Sequence, residues 1–289
     1  VVTVLATVAG VAAVLLTTTS AALTAKITNS ANNAGTRAFF TCRNALTSLP
    51  GSTYLAWAMG TSGSSETDIA NTTSPRTGSY NPTVTATVSD TGGLNTSIGC
   101  LRDSPARSVN FLGNRCLYIG ATTAAVSPTT FSVEAWFWSS TTGVNGKIIG
   151  LGNSQSNSSD GTYDRHIYLD KDGRAVFGIY SGGQNIVAST ASYNDSKWHH
   201  VVGTYSASTR MNLYVDGVLV AGPTALSGTI NTDAGWWKVG CGTLSTWADA
   251  AGTALTKPAY FTGRIQYAAV YTVVLTADQV KSHYLAGVN

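Results

Sequence analysis

The sequence predicts a mostly β protein, an antiparallel jelly-roll sandwich with an apolar N-terminal α-helix and a short C-terminal helix, on three observations. Segments such as FSVEAWFW alternate their side chains with a period of two, the repeat of a strand. Asp-Gly pairs interrupt apolar runs where tight hairpins need positive φ. Charged residues make up 11% of the chain, against roughly 25% in an ordinary soluble domain, and Ser, Thr, Asn and Gly replace them. Many short strands between Gly-rich turns pack most readily as two antiparallel sheets.

The N-terminal element is residues 1–25, which carry no charge before Lys26. A secretory signal would begin with Met and a charged stretch; with Val1 first and no basic flank, the segment is expected to have had its initiator end removed already or never included. As a helix it would be about 38 Å long, enough to cross a hydrocarbon core of about 30 Å. Three places would bury it: a bilayer, the core of a filament built from many copies, or a groove in a neighbouring subunit, where it would add as a strand. On a helix Thr3, Thr7 and Gly10 fall on one stripe. Ala6 with Gly10, and Ala9 with Ala13, have the small-xxx-small spacing that lets identical helices approach closely. Copies of the chain are therefore the expected partners, with a membrane before assembly. Residues 26–51 read as a connecting segment and residues 52–289 as the head.

Within the head, FSVEAWFW puts Phe131, Val133, Ala135 and Phe137 on one face and Glu134, Trp136 and Trp138 on the other. Both faces are bulky, which predicts a strand in the interior. HIYLDKDGRAVFGIY reads as a hairpin through Asp172-Gly173, and MNLYVDGVLV as one at Asp216-Gly217. TADQ, before VKSHYLAG, fits a capping box with Thr276 as the cap and Gln279 reaching back. The four cysteines include no C-x-x-C pair, which predicts two disulfides and an oxidising, extracellular setting. Three pairings are open, and Cys42 with Cys100 and Cys116 with Cys241 is the favoured one. Sequons at Asn71, Asn95, Asn157 and Asn194 point to surface exposure of those positions.

The run KWHHVVGTYSASTRMNLYVDGVLV resembles the central signature of laminin-G-like, concanavalin A-like jelly-roll domains. FSVEAWFW is similar to their early core strand, and FTGRIQYAAVYTVVLTADQV to their closing strand and terminal helix. YLAWAMGTSGSSETDIANTTSPRTGSYN and ARSVNFLGNRCLYIG resemble the strands before these, so the likeness covers Ser52 to Asn289. It implies a head that binds glycans or proteins, acts as a spacer or hydrolyses polysaccharide. Hydrolysis with retention needs two carboxyl groups about 5 to 5.5 Å apart. The laminarinase-like branch supplies them as two Glu close together on one strand. Here the chain has only Glu66 and Glu134, and ETDIAN around Glu66 lacks the second Glu. No catalytic residue and no enzymatic role are therefore expected.

Neighbouring strand residues such as His199 and His200 face opposite ways and cannot share an ion. The resemblance implies packing for KWHH, and His166 and His283 stand isolated. For Asp160 and Asp164, on an expected loop, it implies a candidate calcium site at the rim. No other metal or cofactor is expected. Tyr163, Trp236, Trp237, Trp247 and Tyr260 fall in or near expected loops, where flat aromatic faces suit sugar binding, with packing in the sandwich core the competing expectation for Trp236 and Trp237 above all. A net charge of +3 without a Lys/Arg cluster argues against a nucleic-acid partner.

The layout of an apolar start running into a β-rich head resembles type IV pilins and related archaeal-type pilins. Two departures are Leu5, where bacterial type IV pilins carry Glu, and the missing amphipathic second half of their helix. SAALTAKITNSANN also resembles the start of secreted β-proteins that assemble by strand exchange. The expected function is a structural subunit of a prokaryotic cell-surface filament displaying a lectin-like head for adhesion. The alternatives are a membrane-anchored glycan-binding module and an exported polysaccharide hydrolase.

Overall fold

The structure is a computed structural model and describes residues 40–85, 93–103, 107–120, 124–143, 146–155, 160–255 and 260–288. The chain divides into two units, Val1–Phe40 and Thr41–Asn289. The expected N-terminal helix, with Thr3, Ala6, Thr7, Ala9, Gly10 and Ala13, lies outside the described residues. Among the described residues no helix is long and apolar enough to cross a membrane.

The second unit is an antiparallel sandwich. One sheet runs β15 (Val218–Thr224), β14 (Arg210–Val215), β13 (Trp198–Ser206), β8 (Phe131–Trp138), β17 (Thr262–Tyr271), β5 (Ser108–Leu112) and β4 (Leu94–Asn95), with β1 (Thr53–Trp57) also on β17. The other runs β12 (Gln184–Ser192), β11 (Arg174–Tyr180), β10 (Tyr163–Leu169), β9 (Gly146–Gly152), β16 (Ala234–Val239), β6 (Cys116–Ile119), β3 (Gly78–Val84) and β2 (Gly63–Glu66), with β7 (Ala125–Val126) on β16. Phe131, Val133, Ala135 and Phe137 point between the sheets and join Ile149, Leu151, Phe177 and Trp237 in the core. Burial of each of the valine and phenylalanine side chains contributes about 1.5 to 3 kcal/mol, which makes the alternation of β8 decisive for its register.

The opposite face of β8 is covered by a helix. In α2 (Ala277–Val288), Tyr284 stacks on Trp136 with centroids 5.9 Å apart. A Cβ at Gly287 would sit 2.3 Å from the Trp136 ring, so only glycine allows this approach. Both halves of the capping box form: the Gln279 amide N–H donates to Thr276 Oγ1 at 3.2 Å, and the Thr276 N–H donates to Gln279 Oε1 at 2.8 Å. The β14–β15 hairpin turns at Asp216 (φ 52) and Gly217 (φ 76), the paired positive angles of a type I′ turn.

Ahead of the sheets, α1 (Cys42–Leu46) is capped by Thr41 and by the Asp103 carboxylate, which accepts from the Cys42 and Arg43 amides at 2.9 and 3.0 Å. Disulfides join Cys42 to Cys100 and Cys116 to Cys241. The first ties α1 to the same unit as the sandwich.

Candidate functional site

The outer face of the β12–β2 sheet carries a second apolar layer. Alternation sends Ile167 and Phe177 into the core and turns Tyr168 and Val176 outward, where Leu244, Trp247 and Leu255 pack on them. These three belong to a strap, residues 240–255, that crosses the sheet. Gly178 makes room for it, since a Cβ there would lie 2.5 Å from the Trp247 ring. Hydrogen bonds pin the strap down: Tyr163 Oη donates to the Ser245 carbonyl at 2.5 Å, Tyr168 Oη to the Ala248 carbonyl, and Gln184 Nε2 to the Thr246 carbonyl at 2.8 Å.

Beside the strap opens a cavity of about 310 Å³, lined in part by Tyr163, Tyr180, Gln184, Asp233, Thr246 and Trp247. Tyr180 is the exposed ring, at 41%, whereas Trp247 is a wall at 2%. The far wall is set by a bulge. The β10 register slips between Asp164 and Ile167, and Arg165 takes φ 48. The buried Arg165 guanidinium pairs with Asp164 and donates to Pro128 O at 3.0 Å, Asn231 Oδ1 at 3.1 Å and Asn231 O at 2.5 Å. Burial pushes the Asp164 carboxyl up, with Arg165 pulling the other way.

Beneath Tyr163 lies a buried charge cluster. Lys238 Nζ is 2.5 Å from Asp160 Oδ1, and Lys147 Nζ sits 5.5 Å from the Tyr163 ring centroid with no hydrogen-bond partner among the described residues. Burial pushes the Lys147 amine down to about 7, and Asp160 only partly offsets it. An unfolded Lys binds its proton to about pH 10.4. Between these values the unfolded state holds more protons, so Lys147 makes stability rise with pH from about 7 towards 10. Lys147→Met should raise the urea midpoint at pH 7 and abolish this rise. An unchanged pH slope would overturn the assignment.

The cavity brings Tyr163 and Trp247 together. It does not include Trp237, which lies in β16 and fills the core at 1% exposure, or Trp236, half-buried on the same strand. The placement of these two in or near loops is corrected, since their strand pairs with β9 from Trp236 to Val239, and Trp237 takes the core position of the competing expectation. Tyr260 is half-buried and does not line the cavity. Asp164 is in a strand and not on a loop, and Asp160 and Asp164 each already face a buried cation. His283 is not isolated, since its Nδ1 lies 2.9 Å from Glu134 Oε2. His199 and His200 do face opposite ways, His199 to Asp195 and Asp216 and His200 to Glu134. Cys42, Cys100 and Asp103 come close enough to hold an ion, but both thiols are spent in the disulfide. Sequence reading missed Tyr180, Gln184, Asp233 and Thr246. Strand alternation does place Tyr180 on the same face as Gly178, two residues before it.

No curated protein matches the sequence. Solved structures of similar fold include domain 4 of a GH43 extracellular arabinanase from Geobacillus stearothermophilus, in complex with arabinotriose, at 13% identity and TM-score 0.51 over 81% of this chain and 98% of that one. The binding domain of Paraclostridial Mosquitocidal Protein 1 aligns at 12% identity and TM-score 0.51, over 80% of this chain and 51% of that one. Trypanosoma rangeli sialidase aligns at 15% identity and TM-score 0.48, over 84% of this chain and 36% of that one. The chain thus spans nearly all of the arabinanase domain but about a third of the sialidase and half of the toxin domain. The expectation of a chain with no enzymatic role is overturned here. The fold of this chain occurs within a glycoside hydrolase. The concanavalin A-like lectin/glucanases superfamily, in its Laminin_G_3 form, matches residues 112–281, more than half of the chain, and the chain belongs to that family.

Proposed function

We propose that the head is an extracellular carbohydrate-binding domain and that a saccharide seats in the cavity between Tyr180 and the Trp247 strap. The observation that carries this reading is an exposed tyrosine face beside a cavity of about 310 Å³ whose rim bears Asp233 and Thr246. A sugar ring stacks its C–H face on such a ring while its hydroxyls bond to the polar rim. The volume is at the small end for ligand pockets, which suits one or two sugar units. The pinned strap favours binding because little ordering remains to be done. Two disulfides and a lectin-like fold agree with an extracellular setting.

The test is a glycan array on the intact protein, with arabinotriose and sialylated glycans among the probes, followed by calorimetry on any hit. Tyr180→Ala should weaken the bound glycan about tenfold, or about 1.4 kcal/mol, without moving the melting temperature. An unchanged affinity in Tyr180→Ala would remove the cavity from the reading. Trp247→Ala is a poorer test, because Trp247 anchors the strap.

A second reading rests on the sequence alone. The uncharged, small-residue-striped residues 1–25 support a role in joining copies of the chain into a filament that displays this head. Negative-stain microscopy of native material tests it, and dispersed monomers would sink it.

A further inference from the structure

A second cavity, of about 260 Å³, lies where α1, the loop after β1, the end of β2 and β17 meet. Its lining includes Arg43, Thr61, Glu66 and Tyr267. Glu66, one of the chain's two glutamates, is 2% exposed. Its Oε2 accepts from Tyr80 Oη at 2.9 Å and from Thr61 Oγ1 at 3.5 Å. Arg43 is exposed, and among the described residues no carboxylate pairs with its guanidinium. Tyr267 is buried at φ 51, an unusual angle for a bulky residue, in the β17 bulge between Gln266 and Ala269. Its amide donates to the Ala58 carbonyl at 3.2 Å, which fixes the bulge to the cavity wall.

We propose that this cavity is a second ligand site that takes the carboxylate of an acidic sugar, such as a uronic acid, with the Arg43 guanidinium binding the anion and the Glu66 carboxyl donating a hydrogen bond to it. A guanidinium that makes no close ion pair with a described carboxylate, though its charge reaches Glu66, can bind one from outside, and a neutral carboxylic acid donates one of the stronger hydrogen bonds available to an anion. Ionised Glu66 would instead repel the ligand. Burial raises the Glu66 carboxyl to about 7 against the pull of the Tyr80 hydroxyl, so Glu66 is the acid at and below neutral pH.

The other groups around it keep their charge across that range. Burial pushes the Tyr80 phenol well up, and burial together with Asp103 pushes up Tyr267. Burial lowers the Arg115 guanidinium, which lies beyond Tyr80, but an arginine starts so high that it keeps its charge in this range. Asp103 is engaged as the cap of α1. The pH dependence of binding between pH 5.5 and 8.5 therefore belongs to Glu66, and affinity falls as pH rises through 7.

Calorimetry of the intact protein with D-glucuronate, with D-glucose and acetate as controls, tests the site independently of the Tyr180 cavity. Glucuronate should bind at pH 5.5 and weaken about thirtyfold at pH 8.5, the drop in the protonated fraction of an acid titrating near 7. Glu66→Gln, which keeps a neutral donor, should bind equally at both pH values. Arg43→Gln should lose binding at both, and because Arg43 is exposed this variant keeps the test valid even if Glu66→Gln unfolds. Absence of glucuronate binding by the folded protein at pH 5.5, or an affinity that ignores pH, would overturn the proposal. Acetate or glucose binding as well as glucuronate would overturn its assignment to acidic sugars.

Discussion

Arg165→Met should cost about 3 to 5 kcal/mol of stability at pH 7, the usual penalty for stranding one half of a buried ion pair. Methionine keeps most of the volume but removes the cation paired with the Asp164 carboxylate, whose Oδ1 still accepts from the Tyr180 amide at 2.7 Å. Three further hydrogen bonds, to Pro128 and to both oxygens of Asn231, vanish with the guanidinium. The cavity wall from Asn231 to Asp233 should then loosen, and glycan affinity should fall with stability. In the variant the Asp164 carboxyl rises further above its unfolded value of about 3.9, so the penalty grows as pH climbs above 4 and is smallest below it. Urea unfolding at pH 4 and pH 7 reads this directly. A loss under 1 kcal/mol at pH 7, or one independent of pH, would show that the pair does not hold the bulge.

A comparable loss is expected from Glu134→Leu, at the junction between β8 and α2. Glu134 is fully buried, with His283 Nδ1 at 2.9 Å and His200 Nε2 at 3.5 Å. Burial alone would raise its carboxyl, but His283 and His200 together, by charge and hydrogen bonding, outweigh this and hold it well below the usual carboxylate range. A depressed carboxyl contributes stability above its unfolded pKa of about 4.3 and loses it as pH falls below that. Hydrogen exchange of the wild-type protein should therefore show α2 losing protection on acidification below about pH 4. Glu134→Leu should lose that protection already at pH 7, with a cost again of about 3 to 5 kcal/mol for the stranded histidines. If α2 amides stay protected in the variant, then the stacking of Tyr284 on Trp136 suffices to dock the helix.

Features whose physics is local could be read without coordinates. The alternation of β8, the Asp216-Gly217 turn and the Thr276–Gln279 cap each depend on residues within one short stretch of chain. Backbone sterics and side-chain direction constrain the chain at that range. The antiparallel sandwich follows from many such segments together, and Tyr163 and Trp247 could be singled out as aromatics between them.

Only the tertiary structure decided which aromatics serve the core and which the cavity. Trp236 and Trp237 look alike in sequence to Trp247, but pairing of β16 with β9 buries Trp237 between the sheets, while the strap lays Trp247 on the outer face. The charge partnerships were equally hidden, because His283 meets Glu134 across 149 residues and Lys238 meets Asp160 across 78. The protonation of Glu66 and Lys147 depends on burial, which closing the sandwich alone creates. Period and turn chemistry act along the chain and are written in it, whereas desolvation and long-range pairing act through space and exist only once the sheets have packed.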